Sequence, residues 1–334
     1  MRACFFANVP NRSVLERAEY YKQDLDILRE LGFEVQIATN WREIPLNADL
    51  YFIWWWQRAF LPLTKTALNR RPCVITGTFD YEWPNGLGMD YLRRPTWQKA
   101  LMRYALGKAS SNVFVSQHEY GAICRNLKVN NPRFIPHCVD TDVYQAGVQP
   151  REKFALTFAW LHQSNASRKC VPEVVKAIPL VLQRHPDMRF VIAGEKGTAH
   201  PVLEQLARDL GVLHAVEFPG VLSRERKIEL MQRCSIYVSP SIYEGFGLAI
   251  LEAMSCGAPV VSSPVGAVPE VVGDAGLLVD GKSPQEIADA ICKYLDDDAL
   301  RDEMGRQGRA RAEKEFPYSR RKKEFEKVFS EICG

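Results

Sequence analysis

The chain of 334 residues has room for two domains, and its 46% hydrophobic and 25% charged residues are those of a folded soluble protein, which excludes disorder and fibrous repeats. A net charge of +3 is too small to make nucleic acid the expected main partner. Residues 1–150 carry 18 Lys/Arg against 14 Asp/Glu (+4), residues 151–315 carry 20 against 23 (−3), and the remainder is +2, a split that suggests two lobes with different partners.

An apolar run at residues 3–7, a helix-period segment at 15–31 closed by Gly32, and a second run at 33–38 predict strand, helix and strand, a parallel α/β unit. Residues 50–54, 73–76 and 112–115 continue the strands, with a helix over 96–106. The polar stretch 146–151 marks a domain boundary, and a strand at 154–159 restarts the pattern. A helix at 171–184, interrupted by Pro179, is followed by strand 188–193, helix 201–210, strand 215–218, helix 224–233 and strand 235–238. Helix 246–255, strand 259–262, a short run at 276–279 and helices 284–295 and 299–315 complete a second doubly wound domain. Pro317 ends the last of these, and residues 318–332 read as a helix too charged for a core element. The expected division is 1–150, 151–316 and a closing helix within 317–334.

The longest apolar stretch, 50–63, is broken by Gln57 and Arg58 and falls short of the ~20 residues of a membrane-spanning helix. The N-terminus turns polar at Asn8, too early for a secretion signal, so a cytoplasmic location is expected. Nine scattered cysteines without a CxxC pair predict reduced, mostly buried thiols, and six histidines without ligand spacing predict no metal site.

The chemistry concentrates in Ser239-Pro240-Ser241-Ile242-Tyr243-Glu244-Gly245-Phe246-Gly247-Leu248-Ala249-Ile250-Leu251-Glu252, which follows a predicted strand and opens a predicted helix. Ligands of open α/β sheets bind at such strand ends. Gly245 and Gly247 let a ligand approach the backbone, and the amides of residues 246–248 at a helix N-terminus suit a phosphate. Glu244 and Glu252, eight residues apart, reach different parts of one extended ligand: Glu252 suits a ribose diol and Glu244 a sugar ring. Either carboxylate alone reads more simply as a dipole partner or a solvated charge. The two glycines and the strand-to-helix context favour a ligand made of sugar, diphosphate and nucleoside.

The block from Glu244 to Glu252 resembles the E-x7-E signature of retaining GT-B glycosyltransferases of family 4, also called group 1. The resemblance continues in Gly257-Ala258-Pro259-Val260-Val261, Gly266-Ala267-Val268-Pro269-Glu270, Gly276-Leu277-Leu278-Val279 and, upstream, Ile135-Pro136-His137-Cys138-Val139-Asp140-Thr141-Asp142-Val143-Tyr144. It is strong over residues 112–280 and weak before them. It implies two Rossmann-like doubly wound domains facing across a cleft, the donor held mainly by the second and the acceptor by the first. By position it implies that Glu244 contacts donor-sugar hydroxyls, Glu252 the ribose, and Gly245, Phe246, Gly247 and Leu248 the sugar and diphosphate. Arg168 and Lys169 resemble the family's basic pair at the diphosphate, stabilising charge on the leaving group. Gly194, Lys196 and Val221 resemble its nucleoside contacts. The helix after Pro317 resembles one that crosses back to the first lobe.

Three features depart from the pattern. The first loop reads Asn8-Val9-Pro10-Asn11-Arg12-Ser13 in place of a Gly-Gly pair, Phe79 stands where a histidine precedes Asp80, and Leu161-His162-Gln163-Ser164-Asn165 lacks an expected arginine. Asp80 remains the acceptor-side candidate. Asp140-Thr141-Asp142 is a D-x-D, but it lies inside the linker pattern and is not read as a metal site. No predicted strand leads into G-x-G-x-x-G, which argues against a nicotinamide dehydrogenase. A non-catalytic nucleotide-sugar sensor stays as the alternative. Alternation sends Trp54 and Trp56 to one face and Trp55 to the other; core packing is the simpler reading, and stacking on an acceptor sugar the sharper one. Eight Lys/Arg between 65 and 108 against Asp80, Glu82 and Asp90 leave +5, which reads as solvated faces or as peripheral docking on anionic lipid. The expectation is a retaining, metal-independent glycosyltransferase without a cofactor, moving a hexose from a UDP-sugar to a saccharide or lipid-linked acceptor in polysaccharide or glycolipid synthesis.

Overall fold

The computed structural model describes residues 1–83 and 90–334. The chain forms two compact units, Met1–Cys138 with Tyr318–Gly334, and Val139–Pro317.

In the first unit β1 (Arg2–Phe6), β2 (Glu34–Ala38), β3 (Leu50–Trp54), β4 (Cys73–Gly77), β5 (Ser111–Phe114) and β6 (Pro132–Phe134) form a parallel sheet in the order β2-β1-β3-β4-β5-β6. The central strands β3 and β4 are buried along their whole length, as a parallel sheet covered on both faces requires. The helical segment expected over 15–31 is split at Ala18, whose extended backbone (ψ 108°) separates Ser13–Arg17 from Glu19–Glu30. Helices Phe60–Asn69 and Gln117–Asn126 and the edge strand β6 are additions to the sequence reading.

The C-terminal helix Tyr318–Cys333 corrects an expectation. Its charges other than Arg321 lie on the outer side, whereas Phe325, Val328 and Phe329 at i, i+3 and i+4 join the apolar cluster of Phe5, Phe52 and Trp54, so the helix completes the core of the first unit. Arg321 on the buried side is fully enclosed. Its Nε and Nη2 lie 2.9 and 2.8 Å from Asp24 Oδ1, and its Nη1 donates to Ile135 O (2.9 Å) and Pro136 O (2.7 Å). Burial pushes the Asp24 carboxyl up to about 6, against the downward pull of Arg321. The neighbouring His137, parallel to the Trp54 ring at 6.0 Å, is held well below its usual range by burial and by Arg321.

In the second unit β7 (Glu152–Phe158), β8 (Arg189–Ala193), β9 (Val216–Glu217), β10 (Cys234–Ser239), β11 (Val260–Ser262) and β12 (Leu277–Leu278) form a parallel sheet in the order β12-β11-β10-β7-β8-β9. Helix Val171–Leu182 runs through Pro179 without a break. The helix expected from residue 246 begins at Leu248, because the turn from β10 takes up residues 240–247. All nine cysteines are free and seven are buried; desolvation pushes Cys4, Cys170, Cys234 and Cys256 up to about 12. Thiols raised that far stay protonated at neutral pH. Among the described residues no helix is long and apolar enough to cross a membrane.

Candidate functional site

The strand order of the second sheet reverses between β7 and β10, and this switch point is where open α/β sheets leave a crevice beyond their strand ends. Thr157 Oγ1 donates to Val238 O (2.8 Å) and Ser262 Oγ to Ser239 O (2.8 Å), tying β7, β10 and β11 together at that end. Helix Gln163–Arg168 follows β7, and the turn bearing Glu244 follows β10. The two segments meet: the Ile242 amide donates to Arg168 O at 2.9 Å, while the Ala267 amide fixes Glu244 O at 3.1 Å.

The side chains converge as well. Lys169 Nζ lies 2.8 Å from Glu244 Oε2, and Arg168 Nη1 lies 3.4 Å from the same oxygen and 2.7 Å from Tyr243 O. Burial opposes ionisation of Glu244, but Lys169 and Arg168 outweigh it and hold the carboxyl below its ordinary range. The sequence reading assigns the carboxylate to hydroxyls and the cations to a diphosphate as separate duties. The structure joins all three residues in one ionic cluster. Such a cluster offers acceptor oxygens to sugar hydroxyls and two oriented cations to growing negative charge. Cys170, directly after Lys169, adopts a left-handed φ of 48°, a strained conformation for a side chain with a Cβ.

The turn glycines serve the expected geometry. Gly247 has φ 94° and caps helix Leu248–Ser255, a conformation open to glycine and strained for other residues. Phe246 is buried edge-on against Phe316 at 5.8 Å, and Gly245 and Leu248 are half-buried around the same turn. The first-turn amides of a helix have no intrahelical acceptor, so this N-terminus suits an anion.

Glu252 lies about one turn into that helix and is 1% exposed. Tyr144 Oη donates to its Oε1 at 3.0 Å, and Lys227 Nζ donates to its Oε2 at 2.6 Å. Neither partner stands out in the sequence. Lys227 sits among the charges of helix Arg224–Arg233, and Tyr144 is visible only as part of the 135–144 pattern. The remaining donor-side candidates come together too: the Gly194 amide donates to Gly220 O at 2.9 Å, next to Val221, and a Cβ on Gly220 would stand 3.7 Å from Lys196 Cε. Gly194 is obligatory for packing, since a Cβ there would stand 1.9 Å from Ala159 O.

In the first unit the aromatic candidates are corrected. Trp54 and Trp56 are both 0% exposed, so neither presents a face to a sugar. They also lie in different apolar clusters, because the strand ends at Trp54 and Trp55 turns with φ 79°, which breaks the alternation. Trp56 stacks on Phe114 at 5.0 Å and donates from Nε1 to Asn112 Oδ1 at 2.8 Å. Phe79 packs on Trp56 at 5.1 Å, and the buried Asp80 places Oδ1 3.6 Å from His118 Nε2. Asp140 Oδ1 accepts from the amides of Asp142 (3.0 Å) and Val143 (3.3 Å), so the first carboxylate of the D-x-D caps a local turn. Among the described residues no group of three or more His, Cys, Asp or Glu converges as metal ligands would.

Two parallel sheets of this order, with the ionic cluster and glycine turn at the second switch point, define a GT-B fold. Residues 163–311, all within the second unit, match the family model described as glycosyl transferases group 1. The chain is 39% identical over 142 residues to D-inositol 3-phosphate glycosyltransferase of Corynebacterium diphtheriae, covering 40% of this chain and 33% of that protein. It is 39% identical over 153 residues to O-antigen chain mannosyltransferase B of Escherichia coli, covering 45% and 40%. The aligned segments thus span less than half the length of these relatives. In fold, the chain superposes on Anabaena HepE in complex with UDP (TM-score 0.79, 19% identity, 99% of this chain and 100% of that one). It also superposes on sucrose-phosphate synthase of Thermosynechococcus elongatus (TM-score 0.78, 17% identity, 99% of each chain).

Proposed function

We propose that the protein is a retaining, metal-independent glycosyltransferase that moves a hexose from a nucleotide-diphosphate sugar, a UDP-sugar in the first instance, to a saccharide or lipid-linked acceptor. The observation that carries this reading is the Lys169–Glu244–Arg168 cluster at the switch point of a unit matching the group 1 family. On this reading Glu244 accepts from donor-sugar hydroxyls and Glu252 from the ribose. Lys169 and Arg168 take up the charge that grows on the departing diphosphate, and the glycine turn and helix N-terminus receive its oxygens. With the positive charge supplied by side chains, departure of the diphosphate and attack of the hydroxyl take place on the same face of the sugar, without a protein nucleophile. Asp80, close to His118, is the acceptor-side candidate in the first unit. UDP as the donor nucleotide is supported by the HepE complex; a corynebacterial relative is named as GDP-mannose-dependent, so both nucleotides belong in the test.

Calorimetry with UDP-, GDP- and ADP-sugars is expected to show one nucleotide class binding, followed by transfer that persists in EDTA. Binding of none overturns the donor assignment, and full loss of turnover in EDTA overturns metal independence. Donor binding without hydrolysis or transfer would leave a sensor.

We also place the protein at the cytoplasmic face of a membrane as a peripheral partner. In support, Trp97 is 64% exposed between Leu92 and Lys99, whose Nζ donates to Leu92 O, and Arg93 flanks Leu92. Aromatic and basic groups at one surface suit an anionic lipid interface, at ~1 kcal/mol per basic residue near it. Sedimentation with anionic vesicles at low salt is expected to carry the protein down, and its absence from the pellet would defeat this placement.

A further inference from the structure

Lys227 lies outside every motif noted in the sequence, yet its ammonium is held more tightly than a solvated lysine's. It donates to the buried Glu252 Oε2 at 2.6 Å, and its Nζ stands 5.7 Å from the Tyr144 ring and 5.8 Å from the Phe158 ring. Phe158 is the last residue of β7, so the lysine reaches from helix Arg224–Arg233 to the strand end at the switch point. Arg224 approaches the Tyr144 ring as well, at 5.5 Å, and Tyr144 Oη occupies Glu252 Oε1 at 3.0 Å. Both carboxylate oxygens are thereby oriented, one by a hydroxyl and one by a cation. A carboxylate oxygen has two lone-pair sites, so each keeps capacity for a ligand hydroxyl. The Lys227 side chain remains 24% exposed, whereas that of Glu252 is 2% exposed, so the lysine forms the accessible edge of the carboxylate.

We infer that Lys227 is a positioning residue for the nucleoside: it holds the Glu252 carboxylate aimed so that it accepts from the 2′- and 3′-hydroxyls of the donor ribose. This rests on the donor reading above, and specifically on Glu252 facing the ribose. A vicinal diol donates two hydrogen bonds in a fixed geometry, and a carboxylate held at both oxygens meets them without reorganising. A buried carboxylate deprived of its cation is both disfavoured as an anion and free to rotate.

The test compares binding of UDP, GDP or ADP, whichever binds the wild type best, with binding of the corresponding 2′,3′-dideoxynucleotide. In Lys227→Met the affinity for the ribonucleotide is expected to fall about tenfold or more. Affinity for the dideoxynucleotide should be the same in variant and wild type, since it has no diol to lose. Lys227→Arg should retain most of the ribonucleotide affinity, and KM for the donor should rise in Lys227→Met with kcat little changed. An equal loss for both ligands, or no loss for either, overturns the inference and leaves Lys227 with a packing role. Thermal denaturation of each variant identifies one that has failed to fold, and Lys227→Arg then decides by the same comparison. A wild type that binds no nucleotide defeats the donor reading itself, whereas a wild type that binds ribo- and dideoxynucleotide equally defeats only the placement of the diol.

Discussion

Lys169→Met is expected to lower kcat for transfer by about 10²–10³-fold with a smaller change in the donor KM, measured by steady-state turnover of the donor found by calorimetry. Lys169 Nζ is 2.8 Å from Glu244 Oε2, whereas Arg168 is 3.4 Å away and is also committed to Tyr243 O, so the lysine is the principal partner of the carboxylate. Its removal takes away a cation that meets charge present only when the sugar–phosphate bond breaks, and this places the loss in kcat. It also leaves Glu244 with the weaker of its two partners. Because the residues act as a unit, the Glu244→Ala, Lys169→Met double variant should fall far short of the product of the two single losses. A kcat within threefold of wild type for Lys169→Met would remove it from the catalytic set.

The second large effect concerns stability. Arg321→Met is expected to destabilise the first unit by about 3–5 kcal/mol, because it leaves Asp24 as an unpaired buried charge and strips donors from Ile135 O and Pro136 O. For a unit of this size that corresponds to a fall in Tm of roughly 6–20 °C by calorimetry. The Asp24→Leu, Arg321→Met double variant should recover a good part of the loss, since apolar replacement of both members of a buried pair is often near neutral. A loss below about 1 kcal/mol for the single variant would mean that the pair does not hold the C-terminal helix.

The contrast between these two sites shows how far the chain can be read unaided. The turn of Glu244, Gly245, Phe246 and Gly247 was legible because strand, glycine turn and helix are contiguous, and local backbone preferences act over a few residues. The core role of the tail is not legible for a related reason. Its five Lys/Arg dominate composition, while the stripe formed by Phe325, Val328 and Phe329 becomes a core face only when Phe52 of β3 is there to receive it. Trp54 and Trp56 follow the simpler reading of the sequence and are core residues, which removes them as sugar platforms; the positive φ at Trp55 sends them to different clusters, and no local pattern announced that strain.

By itself, then, the sequence determined two parallel α/β units and the place of a glycine turn with two carboxylates eight residues apart. Only the tertiary structure decided that Glu244 closes on Lys169, 75 residues earlier, that Glu252 is held by Tyr144 and Lys227, and that Arg321 is buried on Asp24, 297 residues away. Periodicity and turn chemistry are properties of neighbouring residues, whereas ion pairs depend on which strand ends the sheet order brings side by side. Here that order places the ends of β7 and β10 together, and the charged cluster follows from it.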